Sequence, residues 1–410
     1  MKIGIVTTWQ ERGAAYVSRQ YRDLLKKGHE VFIYARGGEK YAIGDKNWDD
    51  QSITWGKKIP IHMPMSMDLA DFRKWILKNK LEIIFFNEQQ WWDPVLMCQK
   101  MGVKTGAYID YYTRETIPFF EIYDFLICNT KRHHSVFNWH PGAFYIPWGT
   151  DINLFKPVQN GLVNNNFVTF FHSAGFSPER KGTDLLLQAF ARIQGKSKLI
   201  IHTQIDLKKT YPSLVSIIDK LLEQGRLELY FQTVSAPGLY YLGDVYVYPS
   251  RLDGIGLSLP EALACGLAII TSDNPPMNEF FSPEFGRLVK IIDCKPRTDG
   301  YYWPVCELDE NDLCQQLQYY TDHPELVKEQ KIKARAYAEV NLNWENNADL
   351  LIKIFSEVKV DAENKDVVIE KIKRYENKRS NWRTKLYRKH PLIYKPFSWF
   401  WPLIKKFYLQ

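Results

Sequence analysis

Apolar and polar positions along this chain fall into two alternating registers. Short apolar runs at residues 2–7, 29–34, 83–86, 105–109 and 125–128 read as buried parallel strands. Between most of them apolar side chains recur at helical spacing, as at Val17, Tyr21, Leu24 and Leu25. The pattern then restarts. A strand over 167–171 leads through a loop, 173–182, into a helix over 183–193. Further strands follow at 198–202, 227–231, 245–248, 268–270 and 287–289. Strand and helix in alternation argue for parallel sheets with helices on both faces. We therefore expect an α/β chain of two doubly wound domains, residues 1–157 and 158–345. They are expected to face one cleft, because such sheets bind ligands at their C-terminal strand edges. The joint falls in the polar stretch 157–166. Residues 346–370 read as a C-terminal helix crossing back to the first domain, and 371–410 as an extension.

The densest signal lies between the strands 245–248 and 267–270. It runs from Pro249 to Gly266 and holds two carboxylates, Asp253 and Glu261, with seven residues between them. Gly254 and Gly256 let the backbone turn sharply and approach a ligand. Pro260 suits the first position of a helix, whose free N–H groups favour an anion such as a diphosphate. Glu261 in the first turn can accept hydrogen bonds from vicinal sugar hydroxyls, and Asp253 can do the same for a second sugar. A capped crossover in any doubly wound fold has the same order, so this stretch alone leaves both readings open.

Composition adds limits. The chain has 410 residues, 45% hydrophobic, which supplies two cores. The cysteines at 98, 128, 265, 294, 306 and 314 show no metal-ligand spacing and read as reduced core residues of a cytoplasmic protein. No apolar run is long enough to span a membrane, and the first strand is too short for a signal peptide. The formal charge of +7 is uneven: of 54 Lys+Arg and 47 Asp+Glu, residues 371–410 hold twelve and one. The remaining body is mildly acidic, and the basicity belongs to the extension.

Four segments, in order, resemble retaining glycosyltransferase family 4, whose fold is GT-B. Ile146–Pro157 is similar to the family's interdomain signature, and Arg180-Lys181-Gly182-Thr183-Asp184-Leu185-Leu186 to its K-G-x-D-x-L element. Gly243–Ser250 is similar to A-D-V-x-V-x-P-S, and Asp253 to Glu261 to the E-x7-E motif, with Asp in place of the first Glu. The match spans about residues 1–355, including a closing Asn343-Trp344-Glu345 helix start.

The resemblance implies transfer of a sugar, with retention and without a metal or other cofactor, from a nucleotide-diphosphate sugar to a glycan or lipid-linked acceptor. Lys181 and, more loosely, Arg180 would hold the diphosphate, with loop N–H groups near Gly13. Glu261 would take the ribose. Asp253 and the backbone of Gly254, Ile255, Gly256 and Leu257 would take the donor sugar, and Val234 would stand near the base. No carboxylate pair suited to a double displacement is evident. The family's route is front-face transfer, in which a donor phosphate oxygen takes the acceptor's proton. Asp110 would orient the acceptor, or else cap a turn. Asp253, Lys181 and Asp110 are thus the catalytic candidates. A GT-B epimerase or phosphorylase, or a non-catalytic carbohydrate-binding relative, remains open. No Gly-x-Gly-x-x-Gly follows the first strand, which disfavours a dinucleotide oxidoreductase.

Other residues carry weaker signals. His133 and His134 follow Thr130-Lys131-Arg132 and are expected on the solvated face of a helix start. His172 and His202 end strands near the donor. Trp91 and Trp92 either stack an acceptor sugar or pack on the domain. Acceptor loops are expected around 9–16, 40–65 and 87–95. The extension interleaves ten aromatics with its cations, and three prolines plus Lys395 forbid a spanning helix. It reads as a peripheral contact with an anionic membrane, at the inner face, or else as a segment that packs back on the enzyme. Nucleic acid is not an expected partner.

Overall fold

The computed structural model describes residues 1–36, 42–59, 61, 63–158, 167–358, 365–390 and 394. The joint at 159–166, part of the loop 40–65 and most of the aromatic run 391–410 lie outside the described residues, as do the readings placed on them. The chain divides into two units. One holds Met1–Cys128, Val136–Phe144 and the segment from Ala348 on; the other holds Asn129–Ser135 and Tyr145–Asn347.

The first unit is built on β1 (Lys2–Thr7), β2 (Glu30–Ala35), β3 (Ile53–Trp55), β4 (Ile83–Asn87), β5 (Lys104–Tyr108), β6 (Phe125–Cys128) and β7 (Ala143–Tyr145). They lie in the order β3-β2-β1-β4-β5-β6-β7. The pairings from β3 to β6 are parallel. Every residue of β4 and β6 is buried, as expected of strands covered on both faces. After β1 comes the helix Gly13–Leu25, which buries Val17, Tyr21, Leu24 and Leu25, the positions its spacing predicts. β3 and β7 have three residues each and show no period in the sequence.

The C-terminal helices Ala348–Glu357, Asp366–Arg379 and Trp382–Lys389 belong to this unit. The first packs on Gly13–Leu25. The second is anchored by a buried Lys365–Asp124 pair at 2.9 Å. It is also anchored by Glu376, which is buried, pairs with Arg379 and accepts the Trp92 N–H at 3.0 Å. Trp92 packs edge-on against Phe119 and Phe120, and Trp91 lies against Tyr387. Both tryptophans are buried under the C-terminal helices, so of the two readings, stacking an acceptor sugar or packing on the domain, the structure shows packing.

The second unit is built on β8 (Val168–Gly175), β9 (Ser197–Thr203), β10 (Leu227–Phe231), β11 (Val245–Tyr248), β12 (Ala268–Ser272) and β13 (Gly286–Val289). The order is β10-β9-β8-β11-β12-β13, parallel throughout. It repeats the order of the first six strands of the other sheet. Both follow the doubly wound pattern in which the winding reverses beside the first strand. The core joins Val168, Phe170, Leu199, Ile201, Val245 and Val247 of the sheet to Leu186 and Phe190 of the helix Thr183–Arg192.

An element absent from the sequence reading follows β13. β14 (Ile291–Lys295) and β15 (Val305–Leu308) form an antiparallel hairpin. Its register sets Cys294 opposite Cys306, and the two form a disulfide. The expectation of six reduced core cysteines is corrected for this pair: only the hairpin register brings them together. Cys98 and Cys128 are buried thiols.

Candidate functional site

In the second sheet the winding reverses between β8 and β11, so ligand binding is expected at the carboxyl ends of these two strands. The loops leaving those ends are 176–182 and 249–257. They are joined directly: Arg251 N–H donates to Arg180 O at 2.8 Å. Gly182 sits at φ +69°, and a Cβ there would lie 2.1 Å from Pro249 O, so the loops meet at a point that only glycine fits. The buried Arg251 side chain forks onto Asp184 at 2.7 and 2.8 Å and reaches Glu307 of β15 at 3.1 Å. One guanidinium thus ties both loops to the hairpin.

Four charged side chains gather on this frame. Arg180 Nη1 lies 2.9 Å from Asp253 Oδ2 and 2.7 Å from Leu252 O. Asp253 also accepts the Tyr248 hydroxyl and, at 3.0 Å, the Gly254 N–H. Burial pushes the Asp253 carboxyl up, but Arg180, the Tyr248 hydroxyl and Lys181 outweigh it and hold it below the usual range. Lys181 donates to Ser173 O at 3.1 Å and stands 5.7 Å from the Tyr248 ring centroid. Burial and the neighbouring Arg180 pull its ammonium down to about 8, against the pull of Asp253 and Glu261. Glu261 accepts the Tyr240 hydroxyl on Oε2 at 2.6 Å. Burial lifts its carboxyl to about 7, opposed by Tyr240 and Lys181. Each carboxylate is therefore held by a tyrosine hydroxyl, Asp253 beside Arg180 and Lys181 and Glu261 beside Lys181, and all four charged groups keep partial exposure. Such a patch suits a ligand that is anionic at one point and rich in hydroxyls around it.

The turn into Glu261 differs from expectation. The helix runs Ser258–Ala264, so Pro260 is its third residue and not its first. Gly256, at φ +82°, makes the turn instead. Ile255 and Gly256 are buried, while Gly254 and Leu257 are partly exposed. His172 does not end its strand facing a ligand. It is fully buried, with Nδ1 2.8 Å from Val247 O and Nε2 2.8 Å from Thr183 Oγ1. Nδ1 must donate to the carbonyl, so Nε2 accepts from the threonine; burial pulls the ring down to about 4, which keeps it neutral. His202 contacts Gln232 O at 2.9 Å. Val234 lies on the loop after β10, next to Thr233, which binds Gln204; Gln204 N–H in turn donates to Gly175 O at 3.1 Å. That chain of contacts places Val234 beside the same strand edge. Gly13 and Asp110 belong to the other unit. Gly13 is exposed at the first turn of its helix, and Asp110 is partly exposed two residues beyond β5.

Sequence reasoning missed the tyrosines and two residues of the helix Lys131–Phe137. The alternation in Val245-Tyr246-Val247-Tyr248 was a usable signal, since it sets Tyr246 and Tyr248 on one face, stacked at 5.7 Å. His133 was expected on a solvated face. It is 0% exposed and lies 3.1 Å from Gly254 O. Arg132 reaches Asp253 O. Among the described residues no group of three or more His, Cys, Asp or Glu is arranged to hold a metal ion.

Residues 157–293 match the family model for glycosyl transferases group 1. The fold is similar to that of sucrose-phosphate synthase from Thermosynechococcus elongatus, at TM-score 0.65 and 17% identity, over 87% of this chain and 98% of that one. A glycosyltransferase from Rickettsia africae gives 0.69 and 14%, over 87% and 99%. HepE of Anabaena, solved with UDP and glucose, gives 0.67 and 16%, over 87% and 99%. Comparison with curated proteins gives no match. At such identities the structural likeness speaks for the fold, which is GT-B with two Rossmann-like domains. The matched segment contains Arg180, Lys181, Asp253 and Glu261, so the resemblance to the glycosyl transferases of group 1 lies on the second unit, where these four side chains gather.

Proposed function

We propose that this enzyme transfers a sugar, with retention and without a metal, from a nucleotide-diphosphate sugar to a glycan or lipid-linked acceptor. The carrying observation is the joined pair of loops at the β8/β11 edge, where Arg180, Lys181, Asp253 and Glu261 converge. Departure of the sugar leaves negative charge on the diphosphate. Arg180 and Lys181 supply positive charge at that place, fixed before the reaction starts. Glu261 takes the ribose hydroxyls, and the loop at Val234 borders the base. Asp253 takes hydroxyls of the donor sugar.

Front-face transfer fits the state of Asp253. Arg180, the Tyr248 hydroxyl and the Gly254 N–H already engage both of its oxygens, which makes it a poor nucleophile for a double displacement. The acceptor's proton then goes to a phosphate oxygen of the departing diphosphate. The acceptor is assigned to the first unit, with Asp110 as the orienting carboxylate and the helix start at Gly13 offering backbone N–H groups.

The test is a panel of UDP-, GDP- and ADP-sugars read by thermal stabilisation. One nucleotide class should stabilise the protein. Stabilisation by none of them would favour a non-catalytic or phosphorylase relative.

A further inference from the structure

Arg132 and His133 lie outside both loops, yet they hold the backbone on which Asp253 stands. Both belong to the second unit. Arg132 donates from Nη2 to Asp253 O and from Nη1 to Pro275 O, with its guanidinium 4.9 Å from the centroid of the Trp303 ring. His133 Nε2 donates to Gly254 O at 3.1 Å. The helix carrying them is itself fixed at its start: Glu279 accepts the N–H groups of Lys131 and Arg132 at 2.7 and 3.0 Å. Two consecutive carbonyls are thus each held by a side chain 121 positions away.

A trans peptide is planar, with its C=O and N–H pointing in opposite directions. Holding Asp253 O therefore aims the Gly254 N–H, which donates to the Asp253 carboxylate at 3.0 Å. Holding Gly254 O aims the Ile255 N–H. We propose that Arg132 and His133 are positioning residues for the donor's sugar: they direct the Asp253 carboxylate and the Ile255 N–H without touching the donor. This rests on the donor-site reading above. His133 acts as a fixed donor because burial and the adjacent Arg132 pull its ring down to about 3, so it stays neutral at working pH.

The experiment compares UDP, GDP and ADP with UDP-glucose, GDP-mannose and ADP-glucose by calorimetry. It uses the full chain as wild type, His133→Ala, His133→Gln, Arg132→Ala and Arg132→Lys, with kcat measured on the sugar nucleotide that binds. For His133→Ala and Arg132→Ala we expect nucleoside diphosphate affinity within about twofold of wild type. Affinity for the sugar nucleotide, or kcat, should fall about tenfold or more, the usual scale for a lost buried hydrogen bond. His133→Gln, whose amide can replace Nε2–H, should recover most of the loss. If His133→Ala fails to fold, the Arg132 variants carry the test. Equal weakening toward both ligands, or no weakening in folded variants, overturns the inference alone. A wild type that binds none of the six compounds overturns the donor reading and this inference with it.

Discussion

At the scale of single residues, the site rests on two groups pushed toward each other on the pH axis. Glu261 is lifted from 4.5 to about 7, and Lys181 is lowered from 10.5 to about 8. On the proposed donor reading, Glu261 is used ionised, to accept from hydroxyls, and Lys181 charged, to meet the diphosphate. Donor capture should therefore fail on the acid side near 7 and on the alkaline side near 8. We predict a bell-shaped log(kcat/KM) with its maximum between them, the two limbs belonging to the coupled pair. Glu261→Gln should remove the acid limb, and Lys181→Arg should carry the alkaline limb upward. A flat profile across this range would contradict the assignment. The sign for stability is opposite to the use. A carboxyl raised in the folded state contributes stability at low pH, which is lost as pH rises from 4.5 to about 7. The site thus holds its ionised carboxylate at some cost to the fold. The site charges were legible in the sequence because Arg180, Lys181, Asp253 and Glu261 sit in two short segments. His133 was not: Lys-Arg-His-His reads as polar surface, yet the ring is buried and its hydrogen-bond partner is a carbonyl 121 residues away. No local period reports such a partner.

At the scale of elements, the contact between the loops at Gly182 decides the geometry. Alanine there meets two penalties: a left-handed backbone, about 1–2 kcal/mol, and a clash with Pro249 O, about 1–3 kcal/mol. Gly225 is a matched control, with φ +66° and nothing within 4 Å of a Cβ. We predict that Gly182→Ala lowers the thermal midpoint clearly more than Gly225→Ala and weakens donor binding, which Gly225→Ala leaves intact. Equal effects would mean that the loops do not depend on this contact. Most strands of both sheets were readable: β1, β6 and β11 to the residue because strands buried on both faces are apolar runs, and β10 to the residue although it lies at the sheet edge and is only partly buried. The hairpin β14–β15 was not, since β14 is mostly exposed and carries no apolar signature. With it the disulfide went unseen. Pro260 misled in a specific way: it suits any position in the first turn, and the true start was set by Gly256 two residues before Ser258.

At the scale of the whole molecule, the two sheets share the order of their first six strands, and basic C-terminal helices belong to the first unit. No helix among the described residues is long and apolar enough to cross a membrane. The helix Trp382–Lys389 buries Thr384 and Tyr387 and is held by Arg388 on Asp93 at 2.7 Å. Trp382 is 52% exposed, and Lys385 and Lys389 are exposed with it. Positions three and four apart share a helix face, so these three side chains project together. We propose that this face docks on an anionic membrane, each basic side chain contributing about 1 kcal/mol. The full chain should float with anionic vesicles at low salt and stay behind with neutral ones. Absence from anionic vesicles would leave the extension as packing on the enzyme. The donor claim itself is tested most directly by repeating the nucleotide-sugar panel on Glu261→Ala beside the wild type. The account predicts stabilisation of the wild type by one nucleotide class and its loss in the folded variant. Equal stabilisation of both proteins would place the nucleotide somewhere other than Glu261 and contradict the account.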